Sequence, residues 1–366
     1  MTTRQLRVYQ TLWDTVWAEY VYPDFNGYDW KAIGAKYKAL VEAGLTDEDF
    51  YQAMDLMLAE LGDEHSRFDS PEAVAMAEAE FEGRIDYVGV GILVSAVPEA
   101  ARGVIILTFP DSPAAEAGLG PHDSILAVNG EMLLDAAGDR LDQIRGPEGT
   151  TVMLTVQRPG ESPFDLTLTR QRITGPLPID YCLIPGTRLA YIFLPGLNDS
   201  TIPDQMREAL EALTAAGPLD GLILDNRQNG GGESTVLEAV LGFFMHGTVG
   251  HFVSPINSRP LTIRAEDVGG SQAAPLVVLV DEETASFGEV LSGVLQAMDQ
   301  AQIVGQTTPG NVEILWGYGF EDGSRAWIAH ETFQPLRQPN GIWEETGIVP
   351  DVHTPTRWDL FTEATD

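Results

Sequence analysis

Lysine is scarce in this chain. Only three occur among 366 residues, Lys31, Lys36 and Lys38, and none follows position 38. Basic residues number 21 against 55 acidic ones, a formal net charge of −34. A phosphate backbone would repel such a surface, and no basic stripe offsets it, so nucleic acid is excluded as a partner. Cysteine occurs once, which excludes intramolecular disulfides and a cysteine-rich metal site. Flanked by Tyr181 and Leu183, Cys182 reads as a small core residue. Too few His and Cys residues cluster to predict a metal, and no cofactor is expected. No apolar run reaches the roughly 18 residues of a membrane span. Asp14 and Glu19 interrupt the opening stretch, so no signal peptide is read there, and the compartment stays open. What is present is globular: 44% hydrophobic and 21% charged residues, in a length that fits two or three domains.

Three textures follow along the chain. Residues 1–80 read as a helical segment, with Val8, Leu12, Val16 and Tyr20 at helical spacing. A second helix is predicted over 30–43, ending at Gly44. A third opens at Thr46, an N-cap with Asp49 three residues on. Residues 83–173 are β-rich, with strands expected at 88–94, 103–109, 124–130, 151–158 and 164–170 and a short helix at 112–118. Residues 180–358 alternate apolar strands (188–194, 221–226, 275–281, 302–305) with helices (202–216, 234–245, 287–298). That alternation predicts a largely parallel sheet in an α/β multidomain protein.

Two strand–helix turns carry chemistry. DNRQNGGG (225–232) has three successive glycines, which allow positive φ and turn N–H groups inward as an anion nest. A phosphate loop is disfavoured because its lysine is missing. DEETASFGEV (281–290) would present Ser286 at a helix N-terminus, where N–H groups favour a developing oxyanion. The same pattern also reads as a cap, with Glu289 closing a capping box.

With FNGYDW (25–30), LGDEH (61–65), SPAAEAGL (112–119), IRGPEGT (144–150) and TGIVPD (346–351), these turns resemble the S41 serine peptidases, the carboxyl-terminal processing proteases and the tricorn core. The shared order covers most of the chain. The resemblance implies a helical N-terminal segment, a PDZ-like domain and an αβ catalytic domain of the ClpP/crotonase-like kind. It also implies a tail-specific protease acting on a peptide or unfolded protein substrate, with a homo-oligomer left open. Ser286 would be the nucleophile, and the N–H groups of Gly231 and Phe287 the oxyanion hole.

The general base departs from the commonest pattern. Processing proteases use a lysine in a TFGKG-like segment. The matching stretch here is TTPGNVE (307–313), where Asn311 stands in the lysine's place and cannot accept a proton at neutral pH. The tricorn branch instead has a histidine in a motif like LGDEH and a glutamate before the GVxPD-like segment. By that resemblance His65 is the base and Glu344 its auxiliary carboxylate. Glu345 is one residue away and stays an alternative, Glu313 is a further nearby acid, and His65 also reads as a loop residue bridging domains.

In the PDZ-like region, YVGVG (Val88, Gly89, Val90 and Gly91 after Tyr87) would hold a peptide C-terminus. His122 stands where the family usually has glycine and reads as a surface turn residue. His330, Trp316, Tyr318, Phe320 and Trp327 read as structural. Loss of the lysine keeps a second function class open, a catalytically silent member binding peptides or hydrophobic ligands. An acyl-CoA enzyme of the crotonase fold fits TASFGE and the PDZ-like insertion poorly.

Overall fold

The computed structural model describes residues 2–63, 65–75, 87–135, 138–337 and 343–363. The boundary read between 80 and 83 and the side chain of Glu345 lie outside the described residues. The chain divides into two units, Met1–Glu82 with Tyr181–His353 and Gly83–Asp180 with Thr354–Asp366. The helical and αβ segments therefore share one unit, and the chain from Thr354 onward clusters with the β-rich one.

In the first unit, helix Thr2–Glu19 buries Val8, Leu12 and Val16 on one face. Helix Trp30–Ala43 starts at Asp29, whose carboxylate accepts the Lys31 and Ala32 N–H groups, and is followed by Gly44 at φ +92°. Thr46 caps helix Asp47–Ala59 by accepting the Asp49 N–H at 3.1 Å. These helices close around fully buried Trp30, Phe50, Met54 and Leu58, each contributing roughly 2–3 kcal/mol of burial. The same core takes in Phe68, Ala326, Ile328 and Ala329. It does so because strand Arg67–Asp69 pairs antiparallel with Arg325–Pro335, Phe68 opposite Ala326. That pairing ties the chain just after His65 into the αβ framework.

Two sheets make up that framework. One runs Arg67–Asp69, Arg325–Pro335, Gly247–Val253, Ser258–Ile263, with Ile314–Gly319 also paired to Arg325–Pro335. The other has the order Asp180–Leu183, Leu189–Phe193, Gly221–Asp225, Leu276–Val280, Ala301–Gly305, Val352–His353. From Leu189–Phe193 onward its neighbours are parallel, as the apolar strands predict. Registers such as Leu224↔Val278 and Leu279↔Val304 keep the strand ends level. The segments 226–232, 281–286 and 306–313 therefore leave the same edge of the sheet, where sites in such folds assemble. Cys182 corrects the core expectation: it lies on the outermost strand of this sheet and is exposed.

The second unit is an antiparallel sheet in the order Phe164–Thr169, Thr151–Gln157, Ser124–Val128, Arg102–Thr108, Ile92–Val97. The single strand expected over 88–94 is two, Tyr87–Gly89 and Ile92–Val97, because Gly91 takes φ +79°. A Cβ at Gly91 would stand 2.2 Å from that of Ser112, so only glycine fits. His122 holds φ +73°, which explains a preference for glycine there. Its ring stacks on Phe361 at 4.2 Å, and Nδ1 lies 2.8 Å from the Phe361 carbonyl oxygen.

Candidate active site

Three buried polar residues build the first loop. Asp225 accepts from Tyr191 Oη at 2.8 Å and from Arg227 at 2.6 and 2.9 Å. Asn226 donates through Nδ2 to the Gly288 carbonyl and to Ser292 Oγ, both at 2.9 Å. Asn229 donates to Asn226 Oδ1 at 2.7 Å, and its carbonyl accepts the Ala285 N–H at 3.0 Å. The glycine loop is thus stitched to the turn that carries Ser286. Gly231 is at φ +98°, and a Cβ there would come within 2.6 Å of Ser286 Cβ and 3.0 Å of the Phe287 nitrogen. Glycine is what lets the two turns touch.

Ser286 has φ +52° and ψ −126°, a strained conformation for a residue with a Cβ and worth of order 1–3 kcal/mol. Its hydroxyl makes no capping bond, and among the described residues Oγ has no hydrogen-bond partner. The cap reading is therefore corrected. The Phe287 N–H is likewise without an acceptor among the described residues. The Gly231 N–H is not: it donates to Asn229 Oδ1 at 2.9 Å.

Glu289 also departs from the capping box. It is fully buried and accepts from Thr308 Oγ1, the Gly310 N–H at 2.8 Å and the Asn311 N–H at 2.7 Å. Burial pushes its carboxyl above the usual range against the pull of those donors. Helix Phe287–Ala297 is thereby fastened to loop 306–313. Glu289→Ala would strand three donors and is expected to cost about 3–5 kcal/mol in urea unfolding, with Glu289→Gln, which keeps an acceptor oxygen, losing less. Equal losses, or none for alanine, refute this role.

Glu344 grips the other end of that loop, its Oε2 accepting the Val312 and Glu313 N–H groups at 2.7 and 2.9 Å. Its free oxygen, Oε1, lies 3.1 Å from His65 Nε2. Glu313 Oε2 is 3.7 Å from the same nitrogen. His65 is presented by Asp63, whose carboxylate accepts the His65 and Ser66 N–H groups and the Tyr20 hydroxyl at 2.7 Å. Asn26 steadies this turn through the Leu61 carbonyl at 3.0 Å, which accounts for FNGYDW and LGDEH as one device. Burial lowers the His65 pKa, but the Glu344 hydrogen bond and the charges of Glu313 and Glu344 outweigh it, so the net shift is upward. Glu313, buried and facing Glu344, is pushed up to about 7. No hydrogen bond joins His65 to Ser286 among the described residues.

His65, Glu313 and Glu344 each offer a ligand-capable atom, all within 4.8 Å of one another. Three distant segments supply them, so no sequence spacing could have announced the group. Elsewhere in the chain, Val90 is fully buried and can offer only its backbone. Burial raises the Tyr87 hydroxyl pKa, with the Gly91 and Ile92 backbone and the Arg145 charge pulling the other way.

Residues 188–354 match the description of peptidase family S41, residues 5–59 the tricorn protease C1 domain and residues 110–158 a PDZ domain. A carboxyl-terminal-processing protease of Synechocystis sp. is 32% identical, the alignment covering 95% of this chain and 81% of that protein. The chloroplastic carboxyl-terminal-processing peptidase 2 of Arabidopsis thaliana is 28% identical, covering 99% and 71%. The solved photosystem II D1 C-terminal processing protease aligns with a TM-score of 0.62 and 26% identity, over 96% of this chain and 93% of that one. The tricorn protease aligns with a TM-score of 0.56 at 16% identity, over 100% of this chain and 36% of that one, a likeness of fold alone.

Proposed function

The chain belongs to peptidase family S41, and on that premise we propose that it is a serine endopeptidase cleaving unstructured or C-terminal segments through an acyl-enzyme on Ser286. His65 acts as general base in place of the absent lysine, and Glu344 orients it. The observation that carries this reading is the 3.1 Å contact of His65 with Glu344, itself fixed by two backbone donors. Asn311 offers no base, and its N–H is engaged by Glu289.

The steps follow from the groups present. With Nε2 turned to Glu344, Nδ1 is the nitrogen left to take the Ser286 proton as Oγ attacks the scissile carbonyl. The oxyanion forms against the unshared Phe287 N–H. The Gly231 N–H joins once Asn229 Oδ1 releases it. The C–N bond breaks as the imidazolium returns its proton to the leaving amine, and water then hydrolyses the ester by the same route. Substrate binding must bring His65 and Ser286 into hydrogen-bond reach, as catalytic contacts often tighten only in the complex. In the PDZ domain, the peptide C-terminus is received by the backbone of Val88, Gly89, Val90 and Gly91. Backbone N–H groups of that loop receive its carboxylate.

The test is labelling with a fluorophosphonate probe followed by peptide mass spectrometry. A single adduct on Ser286 is expected; no adduct, or one on another residue, overturns the reading. A pH profile adds a second check. His65 must be neutral to accept a proton, so in metal-free buffer the labelling rate rises with pH through a midpoint above the ordinary 6.5 of histidine. Glu344→Gln removes the hydrogen-bonded charge while leaving the burial, so its midpoint moves to lower pH. An unmoved midpoint contradicts the pairing.

A further inference from the structure

We propose that His65, Glu313 and Glu344 form a binding site for one Zn²⁺ ion, and that its occupation switches the peptidase off. The donors are an imidazole nitrogen and one oxygen from each carboxylate, all within 4.8 Å of one another. Two of the separations are 3.1 and 3.7 Å. Ligands at about 2.0–2.2 Å around a tetrahedral zinc stand roughly 3.3 Å apart, so small side-chain adjustments complete the site.

Two features mark it as built for a cation. Glu313 Oε2 is buried without a hydrogen-bond partner, on a side chain only 2% exposed, and faces His65 Nε2. Glu344 has one oxygen clamped by backbone donors, which leaves the other aimed into the cluster. Among the described residues, no lysine or arginine forms an ion pair with either carboxylate. Among the described residues, Tyr22 adds a hydroxyl beside Glu313 and Asp63 a further negative charge. Two carboxylates and one imidazole suit zinc by charge and by donor type, whereas magnesium disfavours nitrogen ligands.

The site itself does not depend on the proposed peptidase reaction; the switch does, because zinc on His65 takes the ring that would accept the Ser286 proton. The experiment is a Zn²⁺ titration of the metal-stripped full chain by calorimetry, with circular dichroism to confirm folding. One equivalent is expected to bind the wild type and Ser286→Ala alike. Folded Glu313→Gln is expected to lose at least about tenfold in affinity, since it replaces an anionic ligand. Absence of a stoichiometric site, unchanged affinity in Glu313→Gln, or displacement of zinc by an equal concentration of Mg²⁺ overturns the proposal. Zinc should also halt fluorophosphonate labelling, with EDTA restoring it. If zinc binds at this site while labelling continues, the site stands and both the switch and His65 as base fall.

Discussion

Ser286→Ala is expected to abolish fluorophosphonate labelling and to reduce cleavage of a disordered protein by about 10⁶-fold in kcat. The size of the effect follows from the lack of a substitute. Thr284 Oγ1 is bonded to the Asn226 carbonyl, and Ser292 Oγ sits buried between the Gly288 carbonyl and Asn226 Nδ2. Among the described residues, only Ser286 combines a strained backbone and an unengaged hydroxyl with proximity to the Phe287 N–H. The fold should survive, because among the described residues Oγ makes no bond whose loss must be compensated. Cleavage by a purified, folded Ser286→Ala protein at even 1% of the wild-type rate would show that the nucleophile lies elsewhere.

His65→Ala is the second large effect, a loss of about 10³-fold in kcat, within the 10²–10⁴-fold range of a positioned general base. The imidazole is held from two sides, by the Asp63 turn and by Glu344 Oε1, and no lysine after position 38 can replace it. Removing the ring also leaves Glu313 and Glu344 facing each other without a cation, so unfolding should be measured in parallel. A loss of activity matched by a loss of folded protein would speak for a structural role. A folded, inactive variant supports the base.

The framework was legible because its signals are local. Thr46 with Asp49, Gly44 after a periodic stretch, and apolar strands between amphipathic helices each follow from spacing a few residues long. The placement of Ser286 was legible for the same reason, as a serine in a strand–turn–helix junction. Strands Gly247–Val253, Ser258–Ile263 and Ile314–Gly319 were not assigned from the sequence: each has a partner close by in the chain, but mixed polarity hides the strand period. Glu289 shows a local rule overridden: the S-x-x-E spacing suggests a cap, but three donors of loop 306–313 bind the carboxylate more completely than the helix N-terminus would. Cys182 failed as a core residue because apolar neighbours say nothing about a sheet's outer strand. The engagement of the Gly231 N–H by Asn229 depends on loop backbone geometry that residue types do not reveal. His65, Glu313 and Glu344 meet only because Phe68 pairs with Ala326 and Glu344 binds the 312–313 backbone, contacts no motif records.

The claim at the centre is that histidine has taken over the work of the missing lysine. The most direct measurement is the second-order rate of fluorophosphonate labelling of wild type and His65→Ala, side by side, with and without added imidazole. Slow labelling of the folded variant, partly restored by imidazole, is the predicted result. Equal rates in the two proteins would contradict the account, and a wild type that takes no label would point instead to a family member that only binds.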